Sequence, residues 1–426
     1  MTFSRRSFLK AFGAAGALGA LAGCETLPKR GGGGHVVVVG GGFGGAACAK
    51  YLRRLDPSIK VTLVDAHLSN YYTCPFSNLV IGGELGMDAI KVDYNALRTK
   101  HGITLVEDHV EAVDADKRGV RLKSGKTLNY DKLVLSPGIQ LNYDKIVGYS
   151  KEAAEKLPHA WKAGAQTRLL RRQLEAMPDG GTFVMVAPPN PYRCPPGPYE
   201  RASLIADYFT KHKPKSKIII LDPKDKFSKQ GLFVEAWENL YGNMVDWVNP
   251  ERGGVVASVD AASMTVTTKD GDKIKAAVIN VIPPMSAGKI VIAAGLDDKG
   301  WAPINQRTFE SVKTKDIHVI GDSSIAGPVP KSGYGANSEA KIAAAAIVAA
   351  FNGEQPGDPK FVNTCYSYVS AIDAISVAGV YELDKDNKII EVKGSGGVSV
   401  KGGAHYRAEG LYAKGWYESI KADTWG

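Results

Sequence analysis

Four consecutive valines, Val36 to Val39, follow His35 and run into a turn of glycines, GGGFGG. So short and β-branched an apolar run predicts a strand buried on both faces rather than a helix. A helical pattern, AACAKYLRRL from Ala46, follows the turn, and a second strand is predicted from Lys60 to Asp65. Ala66 to Phe76 reads as a loop. Alternation returns at Gly102–Glu107, and Val120–Lys123 with Thr127–Tyr130 reads as an antiparallel excursion turning at Ser124-Gly125. Leu133 to Gly138 is a further apolar strand stopped by Pro-Gly, and Ser150 to Arg172 reads as rich in helix.

The opening topology then repeats. A strand at Thr182–Ala187, a loop, a helix through Arg201 to His212 and a strand at Lys217–Asp222 make a second strand–loop–helix unit. Ala277–Ile282 and Asp316–Asp322 are predicted strands, Ala336–Phe351 an Ala-rich helix, and Ile375–Tyr381 a strand in a smaller last region. The tail, Tyr412 to Gly426, reads as short and aromatic.

The two loops differ in chemistry. Gly40-x-Gly42-x-x-Gly45 supplies a tight turn, a close backbone approach to a pyrophosphate and a close helix–strand contact, with the helix N-terminus facing the negative charge. Asp65, about twenty residues further on, stands where an acid holds a ribose hydroxyl. In the second unit, prolines and Cys194 replace those glycines. Proline has no N–H to offer phosphate, so this unit is expected to have lost nicotinamide binding.

Composition adds the compartment. Ser4-Arg5-Arg6-Ser7-Phe8-Leu9-Lys10 matches the twin-arginine export signal, followed by an Ala/Gly-rich run too short and weakly apolar to span a membrane. Residues 1–24 are therefore expected to direct export to the periplasm, with 25–34 a flexible linker. Leu21-Ala22-Gly23-Cys24 also resembles a lipobox, so Cys24 is either lipidated or lost with the signal, and membrane contact is expected only in the first case. Without Arg5, Arg6 and Lys10 the formal charge falls from +9 to +6. That excess suits an acidic protein partner or simply a solvated surface, and no basic run with interleaved aromatics points to nucleic acid. The chain has five cysteines: Cys24, Cys48, which reads as a core thiol on the first helix, Cys74, Cys194 and Cys365. No metal-ligand set is assigned.

Taken with its longer motifs, the chain resembles the two-dinucleotide-domain flavoproteins that include disulfide reductases and sulfide:quinone oxidoreductases, most of all the flavoprotein subunit of flavocytochrome c sulfide dehydrogenase. The likeness runs from His35 essentially to the C-terminus, through VVVVGGGFGGA, NYDKLVLSPG, LPHAWKAG, YRCPPGPYERAS, INVIPP, IHVIGD, PKSGYGANS and NTCYS. It implies an α/β fold of two Rossmann-like FAD/NAD(P)-type domains plus a smaller C-terminal α+β domain. The expected boundaries are 35–147 with 285–358 for FAD, 148–284 for the degenerate NAD-like domain, and 359–426 for the last.

The resemblance also implies roles. In Tyr71-Tyr72-Thr73-Cys74, Cys74 would carry FAD through a thioether to the flavin 8α-methyl, one way a protein tunes its cofactor. On residue chemistry alone the favoured reading is a buried loop thiol. Cys194 and Cys365 would form a redox-active disulfide beside the flavin, against an inert structural bridge of the kind common in oxidising compartments. Glu200 would be an acid/base near the sulfur chemistry, or a first-turn glutamate favoured by the helix dipole. Gly321 and Asp322 would hold the ribityl chain, and Lys331, Gly333 and Tyr334 would lead a helix N-terminus to the flavin. The implied activity is periplasmic oxidation of sulfide to elemental sulfur or polysulfide. Electrons would pass to a c-type cytochrome subunit, since this chain has no CxxCH for haem. A sulfide:quinone oxidoreductase and a catalytically dormant flavin-binding subunit are the alternatives.

Overall fold

The computed structural model describes residues 33–426, which leaves the export motif, Cys24 and most of the 25–34 linker outside the described residues. The valine run forms β1 (His35–Val39), and α1 (Phe43–Leu55) and β2 (Lys60–Asp65) follow. The expected loop then contains a short helix, α2 (Ser77–Gly82). Next come β3 (Thr104–Glu107) and β4 (Lys132–Leu135), with Val110–Asp114 adding a third strand to the antiparallel excursion.

The second unit has β5 (Thr182–Val186), α3 (Gly197–His212), β6 (Lys217–Leu221), β7 (Val245–Val248) and β8 (Val278–Val281). The chain then returns through β9 (Ile317–Val319) and α4 (Gly333–Phe351). It ends in β10 (Lys360–Tyr368), β11 (Ala374–Leu383) and α5 (Tyr406–Trp425).

Two parallel sheets result. The first is five-stranded, in the order β9-β4-β1-β2-β3, so its β9 edge comes from a distant part of the chain. Val36 to Val39 lie in register between Val61–Val64 and Lys132–Leu135, buried on both faces as their composition requires. The second sheet runs β7-β6-β5-β8. Helices α1 and α4 pack closely over the first sheet because Gly44, Ala46, Ala336, Ala340 and Ala343 leave room for their backbones.

Several expectations are corrected. Helix α4 begins at Gly333 rather than Ala336, since the Ser332 hydroxyl accepts the Gly335 N–H at 2.9 Å as an N-cap. The strand at 316–322 stops at Val319 and gives way to a 3-10 turn over Gly321–Ser323. The helix expected between Ser150 and Arg172 is confined to Ala165–Ala176 after a short 3-10 turn, leaving 157–164 irregular. The tail is part of a 20-residue helix, α5, because Tyr406, Gly410, Ala413, Tyr417, Ile420 and Thr424 recur with the helical period and are buried. Lys50 on α1 donates to the Ala422 and Asp423 carbonyls at 3.0 Å, tying down its last turn.

Candidate active site

Between the first sheet and α4 lies a cleft of about 470 Å³, lined among others by Gly40, Gly42, Asp65, Cys74, Gly321, Asp322 and Gly333. Gly40 has φ +101°, and a Cβ there would lie 2.2 Å from the Ser136 carbonyl. A Cβ on Gly45 would lie 1.8 Å from the Gly40 carbonyl, so this glycine serves the contact of helix with strand. Asp65 accepts the Gly41 N–H at 2.7 Å and the His67 N–H at 2.8 Å, which fixes its carboxylate at the end of β2.

Two buried polar atoms bordering this cleft have no protein partner: Asp322 Oδ1 and Arg193 Nε. A buried donor and acceptor left open in this way fit a large polar ligand. The cleft, its glycine loop and these two atoms thus suit a dinucleotide such as FAD. Gly40, Gly42, Asp65, Gly321, Asp322 and Gly333 would hold it. Glu339, which the sequence did not single out, anchors the Gly321–Asp322 turn by accepting the Gly321 N–H at 2.6 Å.

Lys331 and Tyr334 behave otherwise than expected. The Lys331 ammonium donates to the Asp322 carbonyl at 2.9 Å and the Ser324 carbonyl at 2.6 Å and lies over the Trp301 ring. Tyr334 stacks on Trp416, with ring centroids 6.2 Å apart. Neither lines the cleft. Lys331 serves the site through its backbone, whose carbonyl accepts the Cys194 N–H at 2.8 Å.

A second, smaller cavity of about 140 Å³ shares Cys74, Arg193, Ser332 and Gly333 with the cleft. It brings together Cys74, Cys365 and, from a single loop and helix start, Cys194 and Glu200, three distant stretches of chain. Its walls are mostly apolar, with Phe76, Trp161, Pro195, Pro196, Val377 and Trp416. Cys74 sits just before α2, its carbonyl accepting both the Ser77 N–H and the Ser77 hydroxyl, at 3.0 and 2.7 Å. Thr73 before it meets the Tyr417 hydroxyl at 2.6 Å. Cys48, by contrast, is fully buried on α1, as a core thiol should be.

Cys194 and Cys365, neither of them in a disulfide among the described residues, face this one cavity. Cys194 has a left-handed backbone, φ +59°, in the loop that replaced the second glycine motif. Burial, and then the Glu200 carboxylate, push its thiol up from the ordinary range. Cys365 is also raised by burial, but Lys229 and its hydrogen-bond contacts with Ser332 and Asn363 oppose the rise.

Glu200 is held by Asn78 Nδ2 at 2.8 Å and by the Tyr368 N–H at 2.9 Å. Burial raises its pKa, while those two donors stabilise the carboxylate. Asn78 also accepts from Arg201 Nε at 3.0 Å, and Arg201, 1% exposed, reaches the His159 carbonyl and Asn280 Oδ1. Asn78 and Arg201 escaped the sequence reading, where only the motif YERAS drew attention to the second of them.

The second unit closes its own nucleotide site. Asp222, in the acid position after β6, is fully buried and accepts from the Tyr199 hydroxyl at 2.6 Å and Trp247 Nε1 at 3.0 Å. It also pairs with Lys224 at 2.6 Å, and Tyr199 stacks on Phe227 at 3.6 Å. That carboxylate is consumed by aromatic packing and has no lone pair facing a ribose.

Comparison with known proteins agrees with this geometry. Residues 34–174 match the pyridine nucleotide-disulphide oxidoreductase family. Residues 167–283 match the central part of the sulfide dehydrogenase [flavocytochrome c] flavoprotein chain, and 357–425 its flavin-binding part. A sulfide dehydrogenase [flavocytochrome c] flavoprotein chain of Chlorobaculum thiosulfatiphilum is 67% identical over 37 residues, 9% of this chain and 75% of that one. The mitochondrial sulfide:quinone oxidoreductase of Dictyostelium discoideum is 24% identical over 314 residues, 70% of this chain and 68% of its own length. Among solved structures, the sulfide:quinone oxidoreductase of Aquifex aeolicus superposes with a TM-score of 0.68 over 92% of both chains at 22% identity, which speaks to the fold.

Proposed function

The chain belongs to the superfamily of flavocytochrome c sulfide dehydrogenase flavoproteins and sulfide:quinone oxidoreductases, and from that membership we propose that it oxidises sulfide at Cys194 and Cys365. The observation that carries this reading is the single cavity shared by Cys74, Cys194, Cys365 and Glu200, which adjoins the dinucleotide cleft. In its oxidised form the cysteine pair is a disulfide. Hydrosulfide bonds to one sulfur, the sulfur–sulfur bond breaks, and its electron pair leaves on the other as thiolate. A second sulfide releases the persulfide sulfur as polysulfide, and the apolar walls suit a neutral or weakly solvated sulfur chain.

Gly40, Gly42, Asp65, Gly321, Asp322 and Gly333 would hold FAD, with Cys74 as its covalent attachment, and the flavin would supply a two-electron acceptor for the cysteine pair that can pass electrons on one at a time. The start of α4 at Gly333 brings backbone N–H groups to the wall common to both cavities, where they favour negative charge. Glu200, raised by burial, is suited to keep a proton available beside the sulfurs. The acceptor in this reading is a c-type cytochrome subunit, and the setting is the periplasm, reached through the twin-arginine motif. No helix among the described residues is long and apolar enough to cross a membrane.

Stoichiometric sulfide, added anaerobically to the purified flavoprotein, is expected to bleach the flavin absorbance. Cys194→Ser should stay yellow. A parent that stays yellow refutes the reading. Reoxidation by cytochrome c but not by a quinone separates the cytochrome-coupled form from the quinone-coupled alternative.

A further inference from the structure

Lys229 is a buried cation, 8% exposed, that the chemistry above leaves unused. It precedes the helix Gln230–Tyr241 with φ 60° and ψ 26°, a left-handed conformation that costs a non-glycine residue and tends to mark a functional constraint. Its ammonium donates to the Ser367 hydroxyl at 2.9 Å and the Ile375 carbonyl at 3.2 Å. The charged or ionisable groups that face it are Cys365 first, then Glu200, Cys194 and Glu409.

The strand explains why Cys365 comes first. Alternate residues of β10 share a face, so Asn363, Cys365 and Ser367 form one row. Lys229 is anchored at the Ser367 end. At the other end Ser332 donates to Asn363 Oδ1 at 2.7 Å, and the Cys365 S–H reaches the same oxygen at 3.6 Å. Tyr381 on β11, Glu200 on α3 and Cys194 are further titratable groups that face Cys365. Cys194 has cations around it too, Arg193, Arg201 and more weakly Lys229, but the largest charge acting on it is the Glu200 carboxylate, which opposes its ionisation, whereas for Cys365 the largest is Lys229.

We propose that Lys229 is a positioning residue for the sulfur pair, its ammonium holding the negative charge on Cys365 and so making Cys194 the sulfur to which a nucleophile bonds. The inference rests on the pair being the sulfide-oxidising disulfide. Hydrosulfide bonds to Cys194 Sγ, the Sγ–Sγ bond breaks and its electron pair stays on Cys365 Sγ. The hydrosulfide proton remains on the new Cys194 persulfide, so charge and atoms balance. The better-stabilised thiolate is the better leaving group, which sets the direction of exchange.

The test reads the thiols themselves. The reduced flavoprotein is alkylated with iodoacetamide across a range of pH, and the rate at each cysteine is followed by peptide mass spectrometry. In the parent, Cys365 is expected to react at lower pH than Cys194. In Lys229→Met the Cys365 profile should move up by about one pH unit, roughly a tenfold slower reaction at neutral pH, with Cys194 nearly unmoved. Lys229→Arg should restore it. Ser367→Ala, which keeps the lysine and removes one anchor, should shift Cys365 less in the same direction and covers the case where Lys229→Met fails to fold. Cys194 ionising first, or an unmoved Cys365 profile in these variants, overturns the inference. In the oxidised parent given one equivalent of sulfide, a persulfide trapped on Cys194 supports it and one on Cys365 overturns it. Because alkylation needs neither sulfide turnover nor an electron acceptor, a protein that keeps this thiol order but never bleaches would refute the sulfide reading alone.

Discussion

Gly197 stands so close to Cys194 that a Cβ built on it would lie 2.9 Å from the cysteine sulfur and 2.7 Å from the Trp161 ring. The first residue of α3 is thus a glycine because the sulfur and the indole occupy the place of a side chain. Gly197→Ala is expected to displace Cys194, with a stability loss of about 1–3 kcal/mol from overpacking. The dinucleotide cleft does not include Gly197, so flavin content should hold while bleaching by sulfide slows. Unchanged bleaching alongside full flavin content would show that the sulfur position tolerates the shift.

Asn78 joins Glu200 to Arg201, giving its amide N–H to one and its carbonyl to the other. Asn78→Leu leaves both buried charges short of a partner, a loss of about 1–3 kcal/mol for each unsatisfied group. The Glu200 carboxyl, already raised by burial, should rise further, because one of the two donors that favour its ionised form is gone. Urea unfolding measures the first effect. A shift of the pH dependence of sulfide-driven bleaching toward higher pH measures the second.

Part of this site could be read from residues. The valine run and Gly40 to Gly45 name a buried strand and a nucleotide turn by composition alone, and the structure has both. The prolines around Cys194 announce that the second unit lost its phosphate loop, and buried Asp222 shows where its ribose acid went. The convergence of Cys74, Cys194 and Cys365 was another matter. Nothing in the spacing of NTCYS signals a strand edge facing a loop that lies far away in sequence, and only resemblance named those residues. Lys229 and Asn78 were invisible for a physical reason. KDKFSKQG reads as a solvated charge run, and a lone asparagine after a proline-containing loop reads as surface, yet both are buried, Asn78 in the cavity wall and Lys229 against Ser367 and the Ile375 carbonyl. The helical period of α5 was present in the sequence and lost among its aromatics.

That last helix carries a prediction of its own. Trp425 is buried against Phe43, with ring centroids 4.8 Å apart, and its indole N–H reaches the Gly41 carbonyl at 3.2 Å. The C-terminus therefore backs the glycine loop. Trp425→Ala should cost about 3–5 kcal/mol and loosen that loop. Lowered flavin content in the purified variant, recovered in Trp425→Phe, would trace the loss to packing behind the turn. Full flavin content in Trp425→Ala would show that the loop holds its shape unaided.

Glu339 sets a pH dependence whose sign can be worked out. Burial pushes its carboxyl up to about 8, above the usual value for a glutamate, although the Gly321 N–H, Lys331 and Ser324 favour the charged form. The folded state thus binds a proton that the unfolded state has released, from the ordinary glutamate range up to about 8. A group raised in this way is favourable at low pH, and its contribution is lost as pH rises through that window, at up to about 1.4 kcal/mol per pH unit. Glu339→Gln keeps an acceptor for the Gly321 N–H and removes the titration. The melting temperature of the variant relative to the parent should therefore climb as pH increases from the acid side of the window to its upper end. A difference that stays flat across that range would mean that Glu339 is ionised throughout, held by Lys331.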